Sequence, residues 1–342
     1  MSSVLPEHPD EAAWSDAEFE EALDGVGPIA LRAAITLAIP DHLISGPLTA
    51  PELAGELGVH APGLEALMDF LTIRGVFTWT PEGYALNPRS VPLLAGYPDG
   101  AAPWLTDGGP GGLMFEAFHV LPQALKLGLP AFELHHGAGF YDVVERQAIG
   151  GDFTMLRGEH GKRLASQLVA TGLLDMTVEV VDVGGGDGSF LFHLMSAFSD
   201  LRGVLVDRPE PVRRARAAAD GMGIGHRLEL HGGDFFLYIP PSADTLLLSN
   251  VLHNWSDDQA RRIVGNVAKS VGGRGRVLAI EGCLDRLPAR VASAMNLRMF
   301  MLCGGKERTL AEYDALFRGS GLMRTEDIAL TSELCVLVYR SQ

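Results

Sequence analysis

Short apolar runs, four to seven residues long and separated by helix-length segments, recur through the second half of the chain. They are rich in valine, leucine and isoleucine and are bounded by glycines or polar residues. Continuous apolar runs of this length predict buried parallel strands rather than strands with one face in water. The predicted strands are residues 180–183, 203–207, 227–231, 246–249 and 276–282. The pattern therefore predicts an α/β sheet.

Other patterns mark the two ends of the chain. Residues 324–331 and 334–339 are strand-like runs separated by two residues, which predicts an antiparallel hairpin at the edge of the sheet. Nearer the N-terminus, Thr49 and Glu52 form a capping-box pattern that opens one helix, and a second helix at residues 62–74 precedes another hairpin. Helices followed by a hairpin in this order predict a winged-helix unit.

These patterns divide the chain into three parts. Residues 1–105 hold the winged-helix unit, 106–175 a helical connector, and 176–342 the sheet. Within the connector, residues 155–163 combine two glycines with several charged or histidine positions, which weakens a helix. We therefore expect a weakened helix there, with its charged residues on a solvated face.

Charge argues against DNA binding, which is the first function that a winged helix suggests. The net charge is −16, and residues 1–105 hold 15 acidic and three basic residues. The helix that would enter DNA carries Glu65, Asp69 and only Arg74, whereas phosphate binding requires a basic face. We expect no nucleic-acid partner. The apolar helix at residues 28–39 is either part of a dimer interface or an ordinary core helix.

Composition excludes further classes. No apolar stretch reaches the ~20 residues needed to span a bilayer, so we expect no membrane segment. Cys283, Cys303 and Cys335 are scattered, which is typical of a reducing compartment, and the acidic first 24 residues lack the basic start of a secretory signal. These features predict a cytoplasmic protein. The absence of zinc-like Cys/His spacing predicts a site without metal.

The most informative motif follows the first predicted strand. Gly184 and Gly186 belong to a run of three glycines, and Gly188 follows. Bare main chain before a helix lets a ligand lie against backbone N–H groups. A dinucleotide-binding loop requires glycine where Ser189 stands. The pattern resembles instead the S-adenosylmethionine (SAM) loop of class I methyltransferases. A plain strand-to-helix turn without a ligand is the alternative.

The polar residues at the ends of the second and third predicted strands are suited to binding a nucleoside. Asp207 ends the second strand, where a carboxylate can accept both ribose hydroxyls. Asp234 and Phe235 follow the third strand, where an acid can accept an adenine amine and a ring can stack on the base. Taken singly, Asp234 is also a typical loop cap and Phe235 a typical core residue.

The fourth strand ends in the run Leu252, His253, Trp255 and Asp257. This run resembles the Leu-His-x-Trp-x-Asp motif of SAM-dependent small-molecule O-methyltransferases of the plant caffeic-acid and bacterial polyketide type. The later run Gly-Gly-Lys-Glu-Arg-Thr at residues 304–309 is equally specific. The resemblance spans nearly the whole chain. It implies a class I sheet with a C-terminal antiparallel hairpin, an N-terminal winged-helix dimerisation domain and a homodimer.

The resemblance also implies roles for three residues. His253 is the general base, and Glu281 and Glu307 are the acids that flank it, with the alternative that either acid only pairs on the surface. A base is needed because a phenol with a pKa of ~10 is only about one part in a thousand ionised at pH 7. Ser249 stands where many plant members have an adenine-contacting lysine, and Asn254 where they have an acid. Both differences leave details of adenine recognition open.

The family builds its acceptor pocket from a late helix, from the connector and from the partner subunit. The matching residues here are Met155, Met295, Asn296 and Met299, and plain core packing is the alternative for each. Methionine surfaces fit flat aromatics of several shapes. We therefore expect SAM, with S-adenosylhomocysteine (SAH) as its product, and an aromatic small molecule with an ionisable hydroxyl, typical of secondary metabolism.

Other functions are compatible with parts of these patterns. Some proteins on this scaffold use SAM without transferring its methyl group, as hydroxylases, decarboxylases or pericyclases. N-methylation is a smaller variation, and a non-enzymatic winged-helix regulator is the most distant. SAH formation separates the enzymes that transfer a methyl group from those that do not, and salt-sensitive DNA binding identifies a regulator.

Overall fold

The computed structural model describes residues 24–97, 100–146, 150–241, 244–273 and 275–341. These residues form two compact units. The first comprises the described residues up to 116 together with 150–156, and the second comprises 117–146 and the described residues from 157 onward. No helix in the described ranges combines the length and the apolar character needed to cross a bilayer.

The first unit has the predicted winged-helix order. Its elements are α1 (Val26–Thr36), α2 (Ile39–His42), α3 (Ala50–Leu57), α4 (Ala61–Ile73), β1 (Thr78–Thr80), β2 (Gly83–Ala85), α5 (Ala102–Leu105) and most of α6 (Pro110–Phe118). The capping box at α3 is confirmed, because Thr49 N–H donates to Glu52 Oε2 at 2.9 Å. Strands β1 and β2 pair antiparallel, with Trp79 opposite Tyr84.

Helix α1 contains most of residues 28–39, which the sequence predicts to be either part of a dimer interface or a core helix. Its inner face is buried in the unit's own core and includes Arg32, which is 6% exposed. The guanidinium donates to Asp107 Oδ1 at 2.8 Å and lies over the Phe115 ring. Val26 and Ile29 remain 60% and 56% exposed. The helix is thus a core helix on one face and an apolar surface on the other.

Four connecting helices follow, and one differs from the prediction. They are α7 (Leu121–Leu127), α8 (Ala131–His136), α9 (Phe140–Arg146) and α10 (Gly150–Ala170). The composition of residues 155–163 predicts a weakened helix, and α10 nevertheless runs through this segment unbroken. Packing explains one of the two glycines: a Cβ at Gly161 would lie 3.1 Å from Phe190 N. The close approach of α10 to this backbone favours glycine at position 161. This effect outweighs the low helix propensity of glycine.

The second unit is built on a seven-stranded sheet in the order β5-β4-β3-β6-β7-β9-β8. The strands are β3 (Glu179–Val183), β4 (Arg202–Asp207), β5 (Leu228–Gly232), β6 (Thr245–Ser249), β7 (Arg276–Glu281), β8 (Leu322–Ala329) and β9 (Cys335–Ser341). The helices are α11 (Ser189–Ala197), α12 (Pro209–Gly221), α13 (Asp257–Val271), α14 (Ala289–Cys303) and α15 (Leu310–Arg318). Strands β3 to β7 are parallel, so their carboxyl ends meet at one edge.

Both faces of the sheet are buried, as the continuous apolar runs predict. Val181 and Leu246 belong to one core cluster, and their neighbours Val180 and Leu247 belong to the other. Alternation along each strand sends successive side chains to opposite faces. The predicted class I α/β fold is confirmed.

The C-terminal hairpin is also present, because β9 pairs antiparallel with both β7 and β8. Its connection is longer than the predicted two residues, since β8 ends at Ala329 and β9 begins at Cys335. Thr331 Oγ1 accepts hydrogen bonds from Glu333 N–H at 3.0 Å and Leu334 N–H at 2.9 Å. These side-chain bonds stabilise a wider turn than a two-residue loop.

Candidate active site

The glycine loop lies directly against the turn that carries the histidine. Gly184 has φ +74°, and a Cβ there would lie 2.8 Å from Val251 Cγ2. Val251 belongs to residues 250–256, which we call the histidine turn. Glycine is thus required at position 184 both by its backbone conformation and by the space available. The loop after β3 and the turn after β6 are therefore in contact at the carboxyl edge of the sheet.

Asp207, at the end of β4, is joined to the glycine loop. Its Oδ2 accepts from Gly186 N–H at 2.7 Å, and its Oδ1 accepts from Arg208 N–H at 2.6 Å. The Arg208 guanidinium pairs with Asp142 and Glu145 of α9 at 2.7 and 2.6 Å. The carboxylate is therefore fixed beside bare main chain, as a ribose acceptor must be.

Asp234 and Phe235 lie in a braced turn after β5. Asp234 is exposed, and its Oδ1 accepts from Phe236 N–H at 2.8 Å, so it does cap the loop. The Phe235 ring is half-buried, edge-on to Trp255 with 6.0 Å between centroids. Asn266 Nδ2 donates to the carbonyl oxygens of Phe235 and Phe236 at 3.0 and 2.8 Å. This turn therefore has a fixed shape.

The histidine turn begins in an unusual backbone conformation. Ser249 is half-buried at the end of β6, and Asn250 follows with φ +53°, which few residues other than glycine adopt. Asn254 Nδ2 donates to Asn250 O at 3.1 Å and so ties the turn to its own start. Asparagine thus holds the turn at the position where plant relatives carry an acid. Such conformations concentrate at functional sites.

His253 is held between the two predicted acids. Its Nδ1 lies 2.9 Å from Glu307 Oε1 and 3.9 Å from Glu281 Oε2. The imidazole is 12% exposed, whereas the side chains of Glu281 and Glu307 are 0% and 3% exposed. A carboxylate at Nδ1 places the neutral ring's proton on that nitrogen. The structure therefore brings together the three residues that the sequence singles out, from β7 and two loops.

Glu281 also holds the histidine turn. Its Oε1 accepts from the N–H groups of Val251 and Leu252 at 3.0 and 2.7 Å. Burial raises the pKa of Glu281 above its ordinary value, although the His253 charge opposes this shift, and the nearby Glu307 carboxyl adds to it. The side chain is therefore both a backbone anchor and an acid that resists ionisation.

The raised pKa of Glu281 predicts how stability changes with pH. Its contribution to the free energy of unfolding is present below the ordinary value of 4.5 and is lost as pH rises through the higher native pKa. The Glu281→Gln variant lacks this titration. Its free energy of unfolding should therefore fall less than that of the wild type between about pH 4 and about pH 8. Urea denaturation across this range measures the difference. Parallel curves for the two proteins would contradict the assignment. Glu326→Gln, at an exposed position on β8, is the matched control.

Two of the predicted acceptor residues have clear contacts. Asn296 Oδ1 accepts from Glu307 N–H at 3.0 Å, so this side chain positions an acid of the site. Met295 is half-buried, and its Sδ lies 3.4 Å from Arg298 Nη1. Met299 is 7% exposed on the same helix, α14. The side chain of Met155 lies outside the part of the chain that the structure describes.

Sequence reasoning missed two residues of the site, both in the run at 304–309. Gly305 is required by close packing, because a Cβ there would lie 2.1 Å from His253 O. Arg308 is fully buried and donates to the carbonyl oxygens of Leu252 and Trp255 at 2.8 Å each. An arginine beside the predicted acid was the available signal, since buried arginines require several partners.

Comparisons with known proteins agree with this geometry. Residues 118–323 match the family model described as the O-methyltransferase domain, and residues 21–96 match the O-methyltransferase dimerisation domain. The chain is 33% identical to the mitomycin biosynthesis 6-O-methyltransferase of Streptomyces lavendulae, over 93% of this chain and 92% of the relative. It is 32% identical to the aclacinomycin 10-hydroxylase RdmB of Streptomyces purpurascens, over 94% and 88% of the two chains.

A solved structure shows the same architecture. The O-methyltransferase NcsB1 of neocarzinostatin biosynthesis, in complex with SAM and 2-hydroxy-5-methyl naphthoic acid, superposes with a TM-score of 0.86 at 30% identity. The match covers 97% of this chain and 100% of that one. With both domain models matched in order and a histidine between two acids beside the glycine loop, this chain belongs to the SAM-dependent O-methyltransferase family.

Proposed function

We propose that the enzyme transfers the methyl group of SAM to a hydroxyl of an aromatic small molecule, with His253 as general base. One observation carries this proposal: an imidazole bonded at Nδ1 to a buried acid adjoins the glycine loop through Val251. A methyl transfer to oxygen needs an electron-rich nucleophile and bare main chain for the donor. Both requirements meet at the carboxyl edge of the sheet, where open α/β folds bind ligands.

The residues after β3, β4 and β5 fit SAM. Gly184 and Gly186 offer the methionyl tail bare main chain, and Asp207 accepts hydrogen bonds from the ribose hydroxyls. Asp234 and Phe235, together with Ser249, bind the adenine. When bound, SAM supplies an electrophilic methyl carbon on a sulfonium. The chain's task is then to deliver an oxygen in line with that carbon.

His253 removes the proton from this oxygen. Because Nδ1 faces Glu307, the proton goes to Nε2. Ionising a phenol of pKa ~10 at pH 7 costs about 4 kcal/mol, and a positioned base recovers roughly this amount, within the 10²–10⁴-fold range of general base catalysis. The helix dipole of α13, which begins at Asp257 just after the turn, favours the neutral ring that a base requires.

The two acids have different tasks. Glu307 orients the ring and stabilises the imidazolium that forms, at 2.9 Å from Nδ1. Glu281 holds the histidine turn through two backbone N–H groups and adds its charge only when ionised. Asn296 accepts a hydrogen bond from the backbone N–H of Glu307 and so holds this acid in place. Asn296 therefore acts on the acceptor partly through Glu307.

The acceptor contacts α14 and the connector. Met295 and Met299 supply an adaptable apolar wall on α14, and Met155 stays a prediction from the resemblance. Residues 106–175 are the proposed connector between the dimerisation part, 1–105, and the catalytic part, 176–342. The matched dimerisation domain indicates a homodimer. All three cysteines are free thiols, which suits a reducing compartment, and we place the enzyme in the cytoplasm.

Removing the Asp207 carboxylate should weaken donor binding strongly. Two hydrogen bonds from ribose hydroxyls to a charged acceptor are worth about 1.5–3 kcal/mol each, so Asp207→Ala should raise the Kd for SAH by about 10²- to 10⁴-fold. Isothermal calorimetry measures this. Asp200→Ala, at an exposed position before β4, is the control and should bind SAH as the wild type does. An unchanged Kd for Asp207→Ala would remove this residue from the donor site.

A panel of hydroxynaphthoic acids tests the acceptor class. Each compound is compared with its amino, methoxy and unsubstituted counterparts in the presence of SAM, with methylated product and SAH read by mass spectrometry. The proposal predicts methyl ethers from the hydroxyl compounds only. Methylated amines would indicate N-methylation, and an altered acceptor without SAH would indicate chemistry of the kind that the name of the hydroxylase relative describes.

A further inference from the structure

A buried arginine lies under the histidine turn without being one of the reacting groups. Arg308 is 0% exposed, although arginine side chains are almost never fully buried unless paired. Its Nη1 donates to Leu252 O and its Nη2 to Trp255 O, each at 2.8 Å. These two carbonyl groups bracket His253 in the chain. The planar guanidinium therefore fixes the distance between the two sides of the residue that carries the base.

The third side of the same guanidinium is anchored to a helix. Arg308 Nε donates to Asp257 Oδ1 at 3.0 Å, and Asp257 lies in the first turn of α13. Burial raises the pKa of Asp257, but the bonds and charges of Arg308 and Lys306 outweigh it and hold that pKa below its ordinary value. The anchor is thus ionised at neutral pH. It keeps the arginine from turning away from the carbonyl groups.

The backbone of Arg308 joins the remaining parts of the site. Arg308 follows Glu307 directly, and its carbonyl oxygen accepts from Leu284 N–H at 2.9 Å. Leu284 lies three residues after Glu281 in the segment that leaves β7. One residue therefore contacts all three segments that carry His253, Glu281 and Glu307.

We propose that Arg308 is the positioning residue for the base: it acts through His253 by holding the histidine turn in register with Glu307. The inference rests on the proposed role of His253. A lysine cannot take the same place, because a single ammonium lacks the planar fork that reaches two carbonyl groups and a carboxylate at once. Without the fork, the ring is free to move relative to Glu307, and small displacements of a catalytic group are enough to slow a reaction.

Nuclear magnetic resonance reads the ring directly and needs no acceptor. The SAH complex is labelled with ¹⁵N-histidine, and the His253 signals are identified by their loss in His253→Ala. In the wild type we expect one neutral tautomer, protonated at Nδ1. In Arg308→Met and Arg308→Lys we expect mixed tautomers and a shifted titration midpoint. The control is Arg276→Met, since Arg276 also donates to a main-chain carbonyl, that of Leu173, and its other side-chain bonds go to Thr177 and Thr245, away from the histidine turn. Wild-type His253 signals in both Arg308 variants would overturn the proposal.

A double-mutant cycle separates positioning from general stability. With a hydroxynaphthoate that the enzyme methylates, Arg308→Met should lower kcat about 10- to 100-fold and leave the Kd for SAH unchanged. The double variant Arg308→Met/His253→Ala should be no slower than His253→Ala alone, because both changes remove the same group's contribution. Multiplied losses would contradict action through His253. If His253→Ala itself keeps full activity, the general base assignment fails, whereas the resonance experiment still reports whether Arg308 holds the ring.

Discussion

Replacing His253 with alanine should lower kcat by about 10²–10⁴ while SAH binds with unchanged affinity. The imidazole contributes to the step that ionises the acceptor, whereas the proposed donor contacts are made by the glycine loop, Asp207 and the turn after β5. The loss should therefore appear in kcat and leave the donor's Kd alone. Steady-state kinetics with a hydroxynaphthoate that the enzyme methylates, combined with SAH calorimetry, measure both quantities.

A matched histidine makes the comparison specific. His226 lies before β5, at the amino edge of the sheet, and His226→Ala should keep the wild-type kcat. An equal loss in both variants would indicate a general effect on the fold. A weaker Kd for SAH in His253→Ala would mean that the donor site, and not the base alone, had been disturbed.

The second large effect is expected for Glu307→Gln, with kcat lowered by about 10²–10⁴. A carboxylate beside Nδ1 selects the tautomer whose Nε2 can accept a proton. Glutamine is similar in shape, but its amide N–H can donate to Nδ1 and so select the opposite tautomer, in which Nε2 already carries a proton. The variant also lacks the negative charge that stabilises the imidazolium.

Size is conserved in this substitution, so the fold should be retained. The melting temperature of Glu307→Gln should stay near that of Glu326→Gln, a surface change on β8. In addition to the kinetic loss, ¹⁵N spectra of Glu307→Gln should show His253 protonated at Nε2. A large kcat loss with the wild-type tautomer would assign the effect to charge alone, and wild-type kcat would exclude Glu307 from the reaction.

Much of the fold follows from the sequence because its signals are local. The apolar runs of β3 to β7 occur where predicted, to within one or two residues at each end. The predicted capping box of Thr49 and Glu52 opens α3 in the structure, and a second capping box, of Ser256 and Gln259, opens α13. Local hydrogen bonding fixes these ends independently of tertiary contacts.

The parts that sequence reasoning missed depend on contacts between distant segments. Arg308 bonds Leu252 across 56 residues, and no spacing rule connects the two. Gly161 weakens a helix by local propensity, but the approach to Phe190 makes glycine the residue that fits. Asn296 is on the helix that lines the predicted pocket, yet it bonds the backbone of an acid. Tertiary packing decides each of these cases.

The pH dependence of methyl transfer in His253→Ala, measured beside the wild type, tests most directly whether the imidazole takes the acceptor's proton. Without the base, only acceptor that is already ionised can react, so the variant's rate should rise about tenfold per pH unit until the phenol's pKa of ~10 is approached. The wild-type rate should level off once His253 is neutral, and the gap between the two should close as pH rises. Two profiles that stay parallel over the whole range would contradict the account.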